Sequence, residues 1–262
     1  MTEFRDYAAA RDSVKECYRN MRAKQDLEFV KRQERKYSVS ATCLTPWEAL
    51  ESLNCFVDLS DPDIELPNLS HLYQTAEAIR RDGLPDWMQL TGFIHDLGKC
   101  IYLRGCDTDG TSMKQQWSIV GDTFIVGDPL PDALVHPEFN ELNSNYNYNC
   151  NIYDDGCGLD ACHVSYGHDE YLYQVLVRSG HQLPDKALWM IRYHSLYAWH
   201  THGCYLHLES TKDKDMKPWV QLFNKYDLYT KENTKYTETE LKDMRIYYDR
   251  LLKKYLPDLL HF

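Results

Sequence analysis

Between Asp12 and Tyr37 the chain is mostly charged, interrupted by Val14, Tyr18, Met21, Leu27 and Val30. Apolar residues returning every three or four positions mark one face of a helix. The stretch therefore predicts a solvated helix with an apolar stripe, a packing arm. Thr45-Pro46-Trp47-Glu48 opens the next helix, with Thr45 as N-cap, Pro46 at the first helical position and Glu48 closing a capping box. It is expected to run to about Val57, before turn chemistry in the acidic loop Asp58-Leu59-Ser60-Asp61-Pro62-Asp63. Ser70 then caps a helix over His71 to Ile79 that stops at Gly83, and Pro85 starts another. Trp87 to Leu97 shows no strand alternation and reads as a buried helix that Gly98 ends.

From Arg104 to about Ser165 the helical period disappears. This region is rich in Gly, Asn, Asp and Tyr, with one short β-like piece at Ser118-Ile119-Val120. A loop region of that length inside a domain is usually functional. Helices return at Gly167 to Tyr173, at Pro184 to Tyr193 (ending on His194-Ser195) and at Trp219 to Leu228, the last begun by Pro218. Thr237 and Glu240 form a second capping box for a final amphipathic helix reaching Leu256. No internal repeat, linker or composition break divides the chain. The expectation is one all-α domain over 1–262, with 1–40 as an N-terminal helical arm or lid and 41–262 as the core.

Composition narrows what such a domain can do. The formal charge of −11 argues against nucleic acid and against an anionic membrane surface, since both need clustered Lys and Arg. No apolar run approaches the roughly 18 residues of a membrane span, and Met1 to Arg5 has no signal-type apolar run. A cytoplasmic location is expected, and the nine cysteines then read as reduced thiols. Cys150, Cys157 and Cys162-His163 cluster, but they lack the paired C-x2-C spacing of a structural zinc site.

The chemistry gathers elsewhere. His95 and Asp96 stand side by side at the end of the apolar helix. Neighbouring helical residues point about 100° apart, so both cannot face the same apolar neighbour. A helix C-terminus with a solvated carboxylate is one way to satisfy them; a metal is another. His71, His168, His194 and Asp227 occupy comparable places near an apolar face or a helix end. Four imidazoles and two carboxylates exceed what one zinc ion needs and suit two first-row metals sharing a carboxylate. Imidazole with carboxylate and no thiolate favours iron or manganese. On spacing alone this reading stands beside one in which each His is a hydrogen-bonded structural residue. His181, His200, His202 and His207 lack the same placement. There is no G-x-S-x-G elbow, Walker loop or H-E-x-x-H.

The order His, His-Asp, His, His, Asp resembles the HD-domain superfamily of helical metalloproteins. More specific are the segments from His71 to Glu77, His95 to Lys99, Gly121 to Phe124, Gly167 to Tyr173, Arg192 to Ser195 and Phe223 to Lys231. Together they resemble the myo-inositol oxygenase family over nearly the whole chain. The resemblance implies an HD-like helical bundle and a non-haem di-iron enzyme with a mixed-valent Fe(II)/Fe(III) pair. Such an enzyme cleaves the myo-inositol ring between C1 and C6 with dioxygen to give D-glucuronate, the first step of inositol catabolism. Its ligands would fall on His71, His95, Asp96 and Asp227 for one iron, with Asp96 bridging to a second held by His168 and His194. Substrate contacts would fall on Arg5, Asp58, Ser60, Lys99, Gly121, Asp122, His194, Ser195 and Lys231. Asp96 and Lys99 would carry the chemistry, in a monomer. Cys106 to Gln115 looks like an insertion between Lys99 and Gly121.

Two other readings use the same residues. An HD-type phosphohydrolase would activate water with divalent metals, but Asp58 and Asp122 would repel a phosphate and suit a neutral polyol. A metal-stabilised scaffold without catalysis would have a closed site, against which Lys99 and Lys231 argue.

Overall fold

The computed structural model describes residues 7–62, 67–144, 146, 151–229 and 236–262. Arg5 and Lys231, expected as substrate contacts, lie outside the described residues. The architecture is all-α: ten α-helices, joined by 3-10 turns and two pairs of two-residue strands, among the described residues. None of the helices is long and apolar enough to cross a membrane.

The N-terminal arm forms two helices where one was expected, α1 (Asp12–Lys24) and α2 (Leu27–Tyr37). The break has a local cause. Asp26 caps α2 by accepting from the Phe29 amide at 2.7 Å, a cap worth about 1 kcal/mol. Gln25, just before it, donates to the carbonyls of Trp117 and Tyr166 and accepts from the Tyr166 amide at 2.6 Å. The buried faces are those of the apolar stripe: Val14, Tyr18 and Met21 on α1, Val30 on α2.

The Thr45 and Glu48 capping box is present at α3 (Pro46–Ser52), and the one at Thr237 and Glu240 opens α10 (Glu238–Tyr255). Strand β1 (Cys43–Leu44) pairs antiparallel with β4 (Leu260–His261), tying the segment before α3 to the last residues of the chain. Helix α4 (Asn68–Arg81) starts two residues before the expected cap, so Ser70 lies in its first turn. Its neighbour α5 (Asp86–Ile94) is buried from Met88 onward. Gly92 lets the two approach: a Cβ there would meet the Ala76 backbone at 3.2 Å as well as the Ile79 side chain. Phe93 then stacks on Tyr248 of α10 with centroids 4.4 Å apart.

Gly98 does not stop α5. The helix ends at Ile94, and Gly98 belongs to the 3-10 segment Leu97–Leu103 that follows. It is glycine because a Cβ would collide with the carbonyl oxygen of His168.

Residues 104–165 lack long helices, as the missing period predicts. The β-like Ser118-Ile119-Val120 is a turn instead, because its backbone is engaged elsewhere: the Ile119 carbonyl accepts from the amide of His168 at 3.0 Å. The strands of this region are β2 (Ile125–Val126) and β3 (His163–Val164), paired antiparallel. Helices α6 (His168–Ser179) and α7 (Asp185–Tyr193) are tied by Arg192, whose guanidinium meets Glu170 at 2.6 Å. After the short α8 (Tyr197–His200) comes α9, which spans Thr211–Tyr229 and encloses Pro218 rather than starting at it. Ser210 and Asp213 cap it earlier, the Ser210 amide and hydroxyl both donating to Asp213 Oδ2 at 2.6 Å.

Candidate metal centre

Three of the four expected imidazoles are oriented by backbone carbonyls. His95 follows the last turn of α5, and its Nδ1 lies 2.9 Å from the Gly92 oxygen. His194 follows α7 in the same way, with Nδ1 2.9 Å from the Ile191 oxygen. His168 begins α6, and its Nδ1 faces the Ile119 oxygen at 2.5 Å. A carbonyl only accepts, so each Nδ1 carries the proton and, in the neutral ring, each Nε2 keeps its lone pair. Those nitrogens converge. His71, from the second turn of α4, brings a fourth, and Asp227 of α9 supplies a carboxylate 2.9 Å from His71 Nε2 and 3.3 Å from His95 Nε2.

Asp96 sits between two groups. Its Oδ2 lies 3.7 Å from His95 Nε2 and 3.9 Å from His71 Nε2. Its Oδ1 lies 3.0 Å from His168 Nε2 and 3.7 Å from His194 Nε2. All six side chains are buried. Thus the structure brings together six residues from five separate segments, with one carboxylate facing both ways. Metal-competent groups form at His71, His95 and Asp227, at His95, Asp96 and His194, and at His168, Asp169 and His194, each with its donor atoms within 4.8 Å of one another. His95 Nε2 is buried without a hydrogen-bond partner. An orphaned buried acceptor costs free energy, and a metal would satisfy it. The donor set fits a metal centre.

Electrostatics support charge in this buried place. Burial opposes ionisation of Asp96, yet Lys99 and His95 hold its carboxyl well below the usual carboxylate range. Asp227 is likewise held low, against burial, by His71 and His95. Burial also works against the Lys99 ammonium; Asp58 and Asp96, each 2.8 Å away, overcome it and raise its pKa. Without metal, burial lowers and Asp169 more than restores the His168 pKa, to about 10. A metal must displace such protons to bind.

A cleft of about 440 Å³ opens beside these groups, lined among others by Asp58, Ser60, Lys99, Gly121, Asp122 and Ser195. All the expected contacts that lie within the described residues are therefore at the cleft. Besides Lys99, several of them are already engaged within the chain. Ser60 donates to Asp58 Oδ1 through its amide and hydroxyl. Asp122 accepts from the buried Arg22 at 3.1 Å and from the Val135 amide at 2.8 Å. Gly121 takes φ 96°, and a Cβ would crowd Met21 and Tyr18.

Sequence reasoning missed Tyr7, Tyr18, Asp61 and Tyr197, which also line the cleft. It missed Asn68 too, whose amide donates to Asp96 Oδ2 at 2.8 Å, and Asp169 beside His168. Only Asp169 carried a signal, as a carboxylate adjacent to a candidate ligand. His200 is a support: its Nε2 donates to the His194 carbonyl at 2.9 Å.

Fold and site define a helical protein with a buried imidazole–carboxylate centre of metalloenzyme type, opening on a polar cleft. The family model described as myo-inositol oxygenase matches residues 11–262, and the chain belongs to that family. It is 41% identical to the inositol oxygenase of Dictyostelium discoideum, over 99% of this chain and 90% of that one. It is 41% identical to that of Danio rerio, over 100% and 94%, and 40% identical to that of Rattus norvegicus, over 98% and 90%. Of the three readings of the sequence, the oxygenase is the one these matches support; the chain is an oxidoreductase.

Proposed function

We propose that this chain holds two iron ions, cycling through a mixed-valent Fe(II)/Fe(III) pair, and uses dioxygen to cleave myo-inositol between C1 and C6. The products would be D-glucuronate and water, which balances: a hexol and one O2 become a uronic acid and one H2O. The observation that carries the proposal is the two-way placement of Asp96, one oxygen toward His71 and His95 and the other toward His168 and His194. His71, His95 and Asp227 would hold one ion, His168 and His194 the other, with Asp96 between them. When bound, such a pair supplies activation of dioxygen and a Lewis acid for a polyol hydroxyl.

The residues of the chain supply the rest. Lys99 is a buried cation next to the shared carboxylate, placed to stabilise negative charge on a substrate oxygen. Asp58 and Ser60 offer an acceptor and a hydroxyl to the polyol, and Ser195 offers a second hydroxyl. Asp122, fixed by Arg22, positions the cleft wall. Arg5 and Lys231 complete the contact set by resemblance. The reading takes 1–262 as one catalytic domain of HD-like lineage, with the 1–40 arm as a lid; Tyr7 and Tyr18 at the cleft support the lid. An acidic chain of formal charge −11 acting on a neutral polyol fits a cytoplasmic monomer with no nucleic-acid or membrane partner.

The test is direct. The chain is loaded with iron(II), exposed to air and given myo-inositol, while oxygen uptake and glucuronate are followed. Matched consumption of oxygen and appearance of glucuronate is expected. Phosphate release from nucleotides without oxygen uptake, or inactivity in both assays, would reject the proposal.

A further inference from the structure

Asp169 has no part in the ligand set above, yet its surroundings call for a cation. It lies in the first turn of α6 and is 1% exposed. Its Oδ1 stands 2.7 Å from His168 Nε2 and 3.3 Å from His194 Nε2, and those two nitrogens are 3.1 Å apart. Two donors each about 2.1 Å from one ion, at a right angle, stand about 3 Å apart, so the three atoms are spaced as neighbours around a single ion. The Ser195 hydroxyl donates to Oδ1 at a long 3.3 Å. Oδ2 is buried with no hydrogen-bond partner.

Among the described residues no lysine or arginine pairs with Asp169. Lys99 is taken by Asp58 and Asp96, and Arg192 by Glu170 and Asp160. A buried carboxylate persists only where charge or donors compensate it. The compensators here are the Nε2 edges of His168 and His194, and their Nδ1 edges are already spent on the Ile119 and Ile191 carbonyls. An imidazole that gives its Nε2 lone pair to a metal has no proton there to donate. Loading this position would therefore strip Asp169 of both imidazole donors and leave a buried anion facing the ion.

We infer that Asp169 supplies the carboxylate that secures an ion in the position bounded by His168, His194 and Asp96. The inference rests on the two-ion reading of the site and adds to it a residue whose negative charge selects for occupancy of one position over the other. The position at His71, His95 and Asp227 has its own carboxylate and does not depend on Asp169.

The test counts ions rather than turnovers. Wild type and Asp169→Asn, an isosteric change that removes the charge, are titrated with iron(II) without air, and bound metal per chain is measured by elemental analysis. Wild type is expected to take two ions. The variant is expected to keep one at unchanged affinity and to bind the other about 10- to 100-fold more weakly, with the coupled mixed-valent electron paramagnetic resonance signal lost at limiting iron. Two ions bound with wild-type affinities, or an unchanged coupled signal, would overturn the role of Asp169. A wild type that takes only one ion would instead remove the two-ion reading beneath it, and the inference with it. Should the Asn chain not fold, Asp169→Ser, smaller and uncharged, is titrated and judged in the same way.

Discussion

One oxygen of Asp96 faces His71 and His95, the other His168 and His194, and the two halves of the centre are built on different physics. His71 and Asp227 stand on α4 and α9 and His95 directly after α5, three helices that pack together through Gly92 and their apolar faces. Their positions follow from burial of amphipathic surface. His168 stands on the first residue of a helix, aimed by a carbonyl in a turn at 119, and that turn is held by Gln25 in the break between α1 and α2. His194 follows α7 as His95 follows α5, so the second half differs in His168, which is positioned by a chain of individual hydrogen bonds and close backbone contacts, each reaching far along the sequence. A helix-built half should tolerate single changes better than a loop-built half.

The largest expected effect erases the distinction. Asp96→Ala removes the carboxylate both halves share, and activity should fall by about 10³-fold or more. A coupled mixed-valent signal should disappear with it. Retention of that signal in the purified variant would show that the two groups of imidazoles are bridged by something other than Asp96. Next comes Gly98→Ala, which acts on the half that carries His168. The added methyl meets the His168 backbone oxygen, which is rigid, so the cost is at the upper end for overpacking, about 3 kcal/mol. Denaturant unfolding should show that loss, and metal titration should show a weakened second ion with the first intact. An equal weakening of both ions would mean the halves are not separately built.

The same difference decides what was legible in the sequence. Capping boxes at Thr45 and Thr237 and the apolar stripe that runs through α1 and α2 are local patterns, and the all-α fold followed from them. The candidate ligands stood at helix ends and apolar faces, so their residue types were visible, although convergence of five segments was not. Gly98 read as a helix stop because local rules see a glycine after an apolar run; its real constraint is a backbone more than sixty positions away. Pro218 read as a helix start because the Ser210 and Asp213 cap upstream is a weaker pattern than a proline. Asn68 and Gln25 carried no signal, since each acts through long-range hydrogen bonds and neither belongs to a periodic face; Tyr18 read only as part of an apolar stripe. Family resemblance reached the cleft contacts that periodicity could not.

Gln25→Ala sharpens the comparison further. The side chain makes three hydrogen bonds to the backbone of Trp117 and Tyr166. Truncation leaves buried polar groups without partners, at a cost of about 2 kcal/mol. Because Ser118, Ile119 and His168 lie within two positions of those residues, affinity for the second ion should drop although Gln25 touches none of its ligands. Thermal unfolding together with ion counting checks this; a stability loss with both ions held at wild-type affinity would cut Gln25 out of the support.

The smallest effect belongs to the helix-built half. Asp86, in the first turn of α5, meets the Lys254 ammonium and the Tyr255 hydroxyl at the end of α10. Burial raises its pKa, and Lys254 and Tyr255 together more than reverse this, holding the carboxyl below its ordinary 3.8. A depressed carboxyl contributes stability that is in place above the ordinary value and fades as the pH falls below it. The side chains of Asp86 and Lys254 are 36% and 56% exposed, so solvent screens the pair and Asp86→Asn should cost at most about 1 kcal/mol. Chemical denaturation at pH 7 and again at pH 3 measures both the size and the sign: the difference between wild type and variant should shrink at the lower pH. A penalty of the size expected for Gly98→Ala, or any selective loss of an ion, would mean that the regular helices are as finely strung as the loops, and the contrast between the two halves would fail.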